Sequence, residues 1–434
     1  MRFPRKTAVT VVVLMAAAGA LLWFYENVHS RIIFGIREDF SRAIPYDIPV
    51  PGIPGIRAEQ CGACHREIYE EWKTSYHAQA YVDPFFQAYW RKDGHIWICL
   101  NCHTPLQPQQ PWIIQGLKDG KVHKPIQVEN PHYDPEFQKE GITCASCHVR
   151  DGVIEGPYED SKAPHPTRFH PRFRTTDICF TCHQVPSGPF QFYEGGPCST
   201  FPEFEGGPYY KQGMICQDCH MPAVERPVAE GGPSRHGRRH LWQGGHSPEM
   251  VKRAIHVEIR PDPPVFEPGE KTQMSLTLTN SGAGHKIPTG DPDRFFTIEF
   301  ELKDARGNVL EQESHMMSRW IIWKPFIVEV YENRLMPLAS RDYSFRFRVP
   351  KQPEGYTLTT RVRYHILTDK QYEKLKTQYG LSVEVPYRFT VFERTFSLSG
   401  STTAGLFNIA GGPGNKKESE RCRIHSETVF LKMG

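Results

Sequence analysis

Three regimes of apolar patterning divide the chain. The first is one uncharged run, Thr7 to Tyr25, behind the basic residues Arg2, Arg5 and Lys6. A helix needs roughly 20 apolar residues to cross a bilayer core, and a basic flank predicts an inside N-terminus. Cleavage after the small residues Ala18-Gly19-Ala20 is the alternative. Against it, the run continues without a polar break through Leu21, Leu22, Trp23, Phe24 and Tyr25, and such an aromatic cluster suits a membrane–water interface. Residues 1–30 are therefore expected to form a retained transmembrane helix. Residues 31–56 follow, with Pro45, Pro49, Pro51 and Pro54. Such a stretch forms either a semi-rigid polyproline spacer or an extended arm packed along its neighbour.

The second regime, residues 57–255, shows no sustained period. The third, residues 256–398, alternates every two residues. Alternation begins at Ile255–Ile259 and returns in Thr272–Thr279, Phe295–Leu302, Tyr343–Val349, Thr357–Tyr364 and Tyr387–Phe392. Turn signals such as Arg306-Gly307-Asn308 and Pro353-Glu354-Gly355 lie between. This spacing predicts an antiparallel β-sandwich of immunoglobulin-like type, with a short amphipathic helix near Lys370 to Tyr379. Residues 399–434 are rich in Gly, Ser and Lys and predict a flexible tail.

The chemistry sits in the unpatterned region. Five Cys-x-x-Cys-His words fall there: Cys61, Cys64 and His65; Cys99, Cys102 and His103; Cys144, Cys147 and His148; Cys179, Cys182 and His183; Cys216, Cys219 and His220. This is the attachment pattern of c-type haem, two thiols for the vinyl groups and an imidazole for the iron. A zinc ribbon or dithiol site also uses paired cysteines, but neither needs a His directly after the second Cys. The expectation is five covalently bound haems. Macrocycles then replace much of the apolar core, wrapped by short helices and long loops. Trp72, Tyr76, Tyr81, Phe85, Phe86, Trp90, Trp97 and Trp112 are candidates to pack on them or to be plain core. The expected architecture is thus multidomain: a haem-packed, mainly α and irregular cytochrome domain, then the β-sandwich, behind an N-terminal membrane helix.

Such haems are attached outside the cytoplasm, which predicts an inner-membrane, single-pass, periplasm-facing protein, or a periplasmic one if the leader is cleaved. That compartment permits a disulfide between the two remaining cysteines, Cys198 and Cys422, and whether they pair stays open. The polypeptide carries +3, and ten haem propionates add roughly −10. A net negative holoprotein excludes nucleic acid as a partner. It also gives Arg168, Arg172 and Arg174, and Arg235, Arg238 and Arg239, an expected use as propionate partners.

Six-coordinate irons need a second ligand each. Twenty histidines, less five in the motifs, leave fifteen against ten methionines, and Met221 directly follows a proximal His. Bis-His ligation is the default and predicts low potentials. His77, His165, His240, His246 and His285 are the expected distal ligands, with His95 and His170 also in motif-flanking words. His285 lies in GAGHKIPTG, where Gly282 and Gly284 permit positive φ and Pro288 stiffens the exit. It is expected to ligate from the β domain.

The words CGACH…YEEWKTSYHA, CLNCHTP, GITCASCH, ICFTCHQ and ICQDCHMP resemble the cytochrome c-554 family, multihaem cytochromes related to the tetrahaem partner of hydroxylamine oxidoreductase. RRHLWQGGHSPEM and NSGAGHKIPTGDPDRF look like the later part of longer members. The resemblance covers roughly 57–300 and implies closely stacked haem pairs, electron transfer, and SYHA-type words as distal ligands. Five motifs, a membrane helix and a β domain depart from it, so the partner does not carry over. The expected function is electron transfer between a quinol-linked module or another cytochrome and a terminal acceptor. The alternative is a multihaem reductase or oxidase of a small nitrogen or sulfur compound at a five-coordinate haem. No CxxCK word occurs to favour it.

Overall fold

A computed structural model describes residues 5–24, 26, 42–184, 198–323, 328–382 and 386–399, the side chains of 5–8 and 120 excepted. The expected tail beyond residue 399, Tyr25 and Cys422 lie outside the described residues.

The sandwich follows from its alternation. Its strands are β1 (Ile255–Asp262), β2 (Lys271–Asn280), β3 (Phe295–Lys303), β4 (Val309–Met317), β5 (Ser340–Arg348), β6 (Thr357–His365) and β7 (Arg388–Ser397). One sheet has the order β5-β2-β1 and the other β4-β3-β6-β7, all antiparallel. On β2, Met274, Leu276 and Leu278 are buried while Gln273, Ser275 and Thr277 face away. They share one core with Ile298, Phe300 and Leu302 of β3 and Leu358 and Val362 of β6. Phe300 stacks across the sheets on Phe345 at 5.8 Å. Each such side chain contributes about 1.5–3 kcal/mol by burial. The helix before β7, Asp369–Gln378, is capped by Thr368, whose hydroxyl accepts from Gln371 N. Strand β4 and the ribbon Arg319–Ile322/Val328–Glu332 were not expected. β4 is an edge strand, exposed over most of its length, and so lacks the apolar alternation that marks the others.

The described residues of 44–254 form short helices, turns and small ribbons. Their apolar protein core is meagre: Val50, Ile56, Leu106, Phe137, Ala145 and Val149 in one cluster, Trp97, Ile98 and Val122 in another. Ile44, Tyr46 and Ile53 pack on the first cluster, and Ile44 N–H donates to Pro105 O at 2.7 Å. The Pro-rich segment from Ile44 onward is therefore a packed arm rather than a spacer. The haem-motif region and the sandwich are clamped together. Arg334 bridges Glu203 and Glu332, Tyr209 Oη donates to Ser281 O, and Tyr89 Oη donates to Asp293.

The expected membrane span is not found. Among the described residues no helix is long and apolar enough to cross a membrane. The N-terminal helix, Arg5–Phe24, opens on two basic residues.

Candidate haem-binding site

Each motif occupies a single helical turn. In Cys61–His65 and Cys179–His183 the His N–H donates to the carbonyl of the first Cys, at 2.9 and 3.0 Å, so the imidazole follows one turn after that thiol. In two others the residue before the second Cys closes the turn. Ser146 Oγ accepts from Thr143 N, and Asp218 Oδ2 accepts from Ile215 N. These side chains satisfy backbone donors that a short helix leaves open.

Four of the motifs line one continuous cavity of about 2960 Å³, several times the roughly 300–1,000 Å³ of a pocket for one small ligand. Motifs one, three, four and five contribute their cysteines and histidines to its wall; the Cys99–His103 motif does not. Neighbouring motifs meet through their sulfurs. Cys61 hydrogen-bonds with Cys144, and Cys179 with Cys216. Cys147 and Cys182 are in electrostatic contact. The attachment points therefore run in the order one, three, four, five.

The imidazoles are prepared as ligands. Nδ1 of His65, His103, His148 and His220 meets the carbonyls of Val228, Ala80, Glu155 and Gln243 at 2.5, 2.6, 2.7 and 2.7 Å. A carbonyl only accepts, so Nδ1 carries the proton and Nε2 offers its lone pair. Burial keeps the rings of His103, His148, His183 and His220 neutral. It depresses His103 and His220 to about 4 and lowers His148 and His183.

Three further histidines face these rings. His77 lies 6.2 Å from His183, His240 6.5 Å from His148, and His285 6.4 Å from His220, between ring centroids. Two iron–nitrogen bonds of about 2 Å, plus the reach of each ring to its nitrogen, give ~6 Å. The three spacings leave room for one iron each. Burial also keeps this second set neutral, with His77 at about 3, His240 at about 4 and His285 lowered. Paired thiols, oriented imidazoles and the cavity fit c-type haem.

The other expected ligands sit differently. His165 lines the same cavity, but its ring faces no motif His at this spacing among the described residues, and its Nδ1 is 3.5 Å from Pro166 O. His246 Nε2 lies 3.2 Å from Arg294 Nη2, and its ring faces no motif His at this spacing among the described residues. His95 packs edge-on against Trp90. Around the second motif the facing group is Phe86, stacked on His103 at 3.7 Å.

The arginine clusters have protein partners. Arg168 and Arg172 converge on buried Glu155, Arg174 reaches Pro157 O, Arg235 pairs with Asp160, Arg238 with Asp218 and Arg239 with Glu71. Of the aromatic candidates, Trp72, Phe85 and Trp97 are buried core, and Trp72 and Trp97 each donate Nε1–H to a carbonyl; Trp112 is exposed. Gly282 and Gly284 do not adopt positive φ. They are needed for close approach: a Cβ at Gly282 would fall 2.0 Å from Arg253 O, and one at Gly284 2.7 Å from Phe204.

Two residues beyond the expected set belong to the site. Trp242 lies between two facing histidines, 4.6 Å from His77 and 5.0 Å from His240, at φ +40. Glu71 accepts from His240 N at 2.9 Å and binds Arg226 and Arg239. Burial pushes its carboxyl up, but Arg226 and the His240 amide outweigh this and hold it below the usual range. The words EEWK and RHLW carry both residues, but only the fold joins them.

No protein-family model and no curated protein matches the chain. Among solved structures it is similar to a penta-heme cytochrome c552 from Thermochromatium tepidum, with TM-score 0.57 and 20% identity, covering 79% of this chain and 98% of that one. The putative ApaA protein from Bordetella pertussis also matches, with 12% identity over 33% of this chain and 92% of that one, but its TM-score of 0.18 carries no argument. The chain has the fold of a multihaem cytochrome.

Proposed function

We propose that this chain is a pentahaem electron carrier. The observation that carries the proposal is one continuous cavity in which three motif histidines each face a second histidine at 6.2–6.5 Å. On this reading His77, His240 and His285 are distal ligands to the haems of His183, His148 and His220. Bound haem supplies a one-electron iron couple, and two neutral imidazoles without a Met sulfur favour a low potential. The protein orders the attachment points and fixes each ring by a carbonyl behind it. Two ligands on an iron leave no position for a substrate, which supports a carrier over a reductase at those three sites.

We further propose membrane attachment through the N-terminal helix. Val9, Val12, Leu14, Leu22 and Trp23 are all exposed along it, which suits an apolar surrounding. The redox domain then lies in the periplasm, exchanging electrons with a quinol dehydrogenase module or another cytochrome. Intact mass together with a reductive titration tests the reading. Five covalent haems, all low in potential, are expected; four or fewer in a fully matured protein would contradict it. Release of the holoprotein without detergent would remove the anchor and leave the carrier reading untouched.

A further inference from the structure

Arg294 stands apart from the other arginines of the site. It lines the haem cavity, yet among the described residues no carboxylate lies within 4.0 Å of its guanidinium. Its Nε is enclosed and has no hydrogen-bond partner. Nη1 reaches Thr289 O, at 3.4 Å, Nη2 reaches His246 Nε2, at 3.2 Å, and Tyr364 also hydrogen-bonds with the guanidinium, so every partner among the described residues is neutral. The carboxylates in electrostatic reach are Asp291 and Asp83. A cation so poorly answered inside a protein is costly unless something else answers it.

Thr289 O and His246 Nε2 accept from the guanidinium. Arg294 N–H donates to His246 Nε2, so the proton of that neutral ring sits on Nδ1. Tyr364 is 2% exposed, lines the cavity and hydrogen-bonds with Arg294. The backbone is shaped to hold these tips together. A Cβ at Gly245 would fall 2.6 Å from Tyr364 Oη and 2.7 Å from Arg294 Nη1, so a side chain there would push both tips aside. Tyr76 closes the other side of His246, with ring centroids 4.8 Å apart and its Oη donating to His246 O at 3.3 Å. Arg294 also acts electrostatically on His183, which places the cluster beside the fourth motif.

We infer that Arg294, Tyr364 and His246 form an anion site opening on the cavity beside the fourth haem, built for a carboxylate or small oxyanion. A planar guanidinium with free N–H groups matches such a ligand. The ligand has two sources: a propionate of the bound haem, or a free oxyanion from solution. The inference rests on the haem reading above, which haem counting tests by itself.

The experiment uses the full-length holoprotein with Arg294→Gln and Arg294→Lys, each first shown to carry the same number of haems as the parent. Two readouts follow: haem-resolved redox titration, and visible spectra of the parent titrated with nitrite and with sulfite. With a propionate as occupant, Arg294→Gln lowers the potential of one haem, Arg294→Lys restores part of the shift, and neither anion changes the parent spectrum. With a free oxyanion, the parent shows a saturable spectral change that Arg294→Gln weakens at least tenfold. If Arg294→Gln leaves every potential unchanged and neither anion perturbs the parent, the site does not bind anions and the inference falls.

Discussion

Replacing Arg334 with Met would separate the two halves of the molecule energetically. Arg334 is 8% exposed at the junction of the sandwich with the haem-motif region. Its Nη2 lies 2.8 Å from Glu203 Oε1 and 2.6 Å from Glu332 Oε2, and Nη1 donates to Pro288 O at 3.0 Å. The Glu203 contact is an ion pair by distance, though its alignment does not make a hydrogen bond. Methionine keeps the volume but removes the guanidinium between two carboxylates: Glu203, its side chain 7% exposed, keeps only the Thr289 hydroxyl among the described residues, while Glu332 keeps Lys286 at 3.2 Å. Breaking a buried ionic cluster from one side costs about 3–5 kcal/mol. Urea denaturation followed by far-ultraviolet circular dichroism at neutral pH measures the loss in the sandwich transition. The double variant Glu203→Gln/Arg334→Met should recover at least ~1 kcal/mol, because one stranded charge is gone. Burial raises Glu332, but Arg334 outweighs it and sets its pKa at about 2. A depressed carboxylate contributes stability that is complete above about 4.3 and lost as pH falls through about 2. That acid sensitivity should diminish in Arg334→Met. A loss below ~1 kcal/mol with an unchanged acid limb would refute this account of the junction.

Other outcomes follow from the same geometry. His285→Ala should convert one haem to high spin, whereas His246→Ala should leave the spin states unaltered, because its Nε2 is held by Arg294; electron paramagnetic resonance of the two variants separates them. Glu71→Gln should weaken the hold on His240 and shift one haem potential while keeping the haem count, as read by redox titration and mass.

What the sequence could reveal depended on whether the information was local. Each Cys-x-x-Cys-His word is a complete chemical unit, and the six expected strands alternate because each buries one face. His77, His240 and His285 stood out by their words, but their pairing with His183, His148 and His220 spans up to 106 residues in the first case and is set by topology. Trp242, Glu71 and Arg294 were silent for the same reason: each acts through a partner brought from a distant segment. Strand β4 escaped because an edge strand need not alternate. The arginine clusters were ambiguous because charge in sequence does not tell which carboxylate will answer it, and buried Glu155 answers two of them.

Low-temperature electron paramagnetic resonance of the oxidised holoprotein tests the central claim most directly. Three irons held between His77 and His183, His148 and His240, and His220 and His285 predict at least three low-spin haems with bis-imidazole signals. Fewer than three low-spin haems in a protein carrying all five would contradict the paired-histidine account.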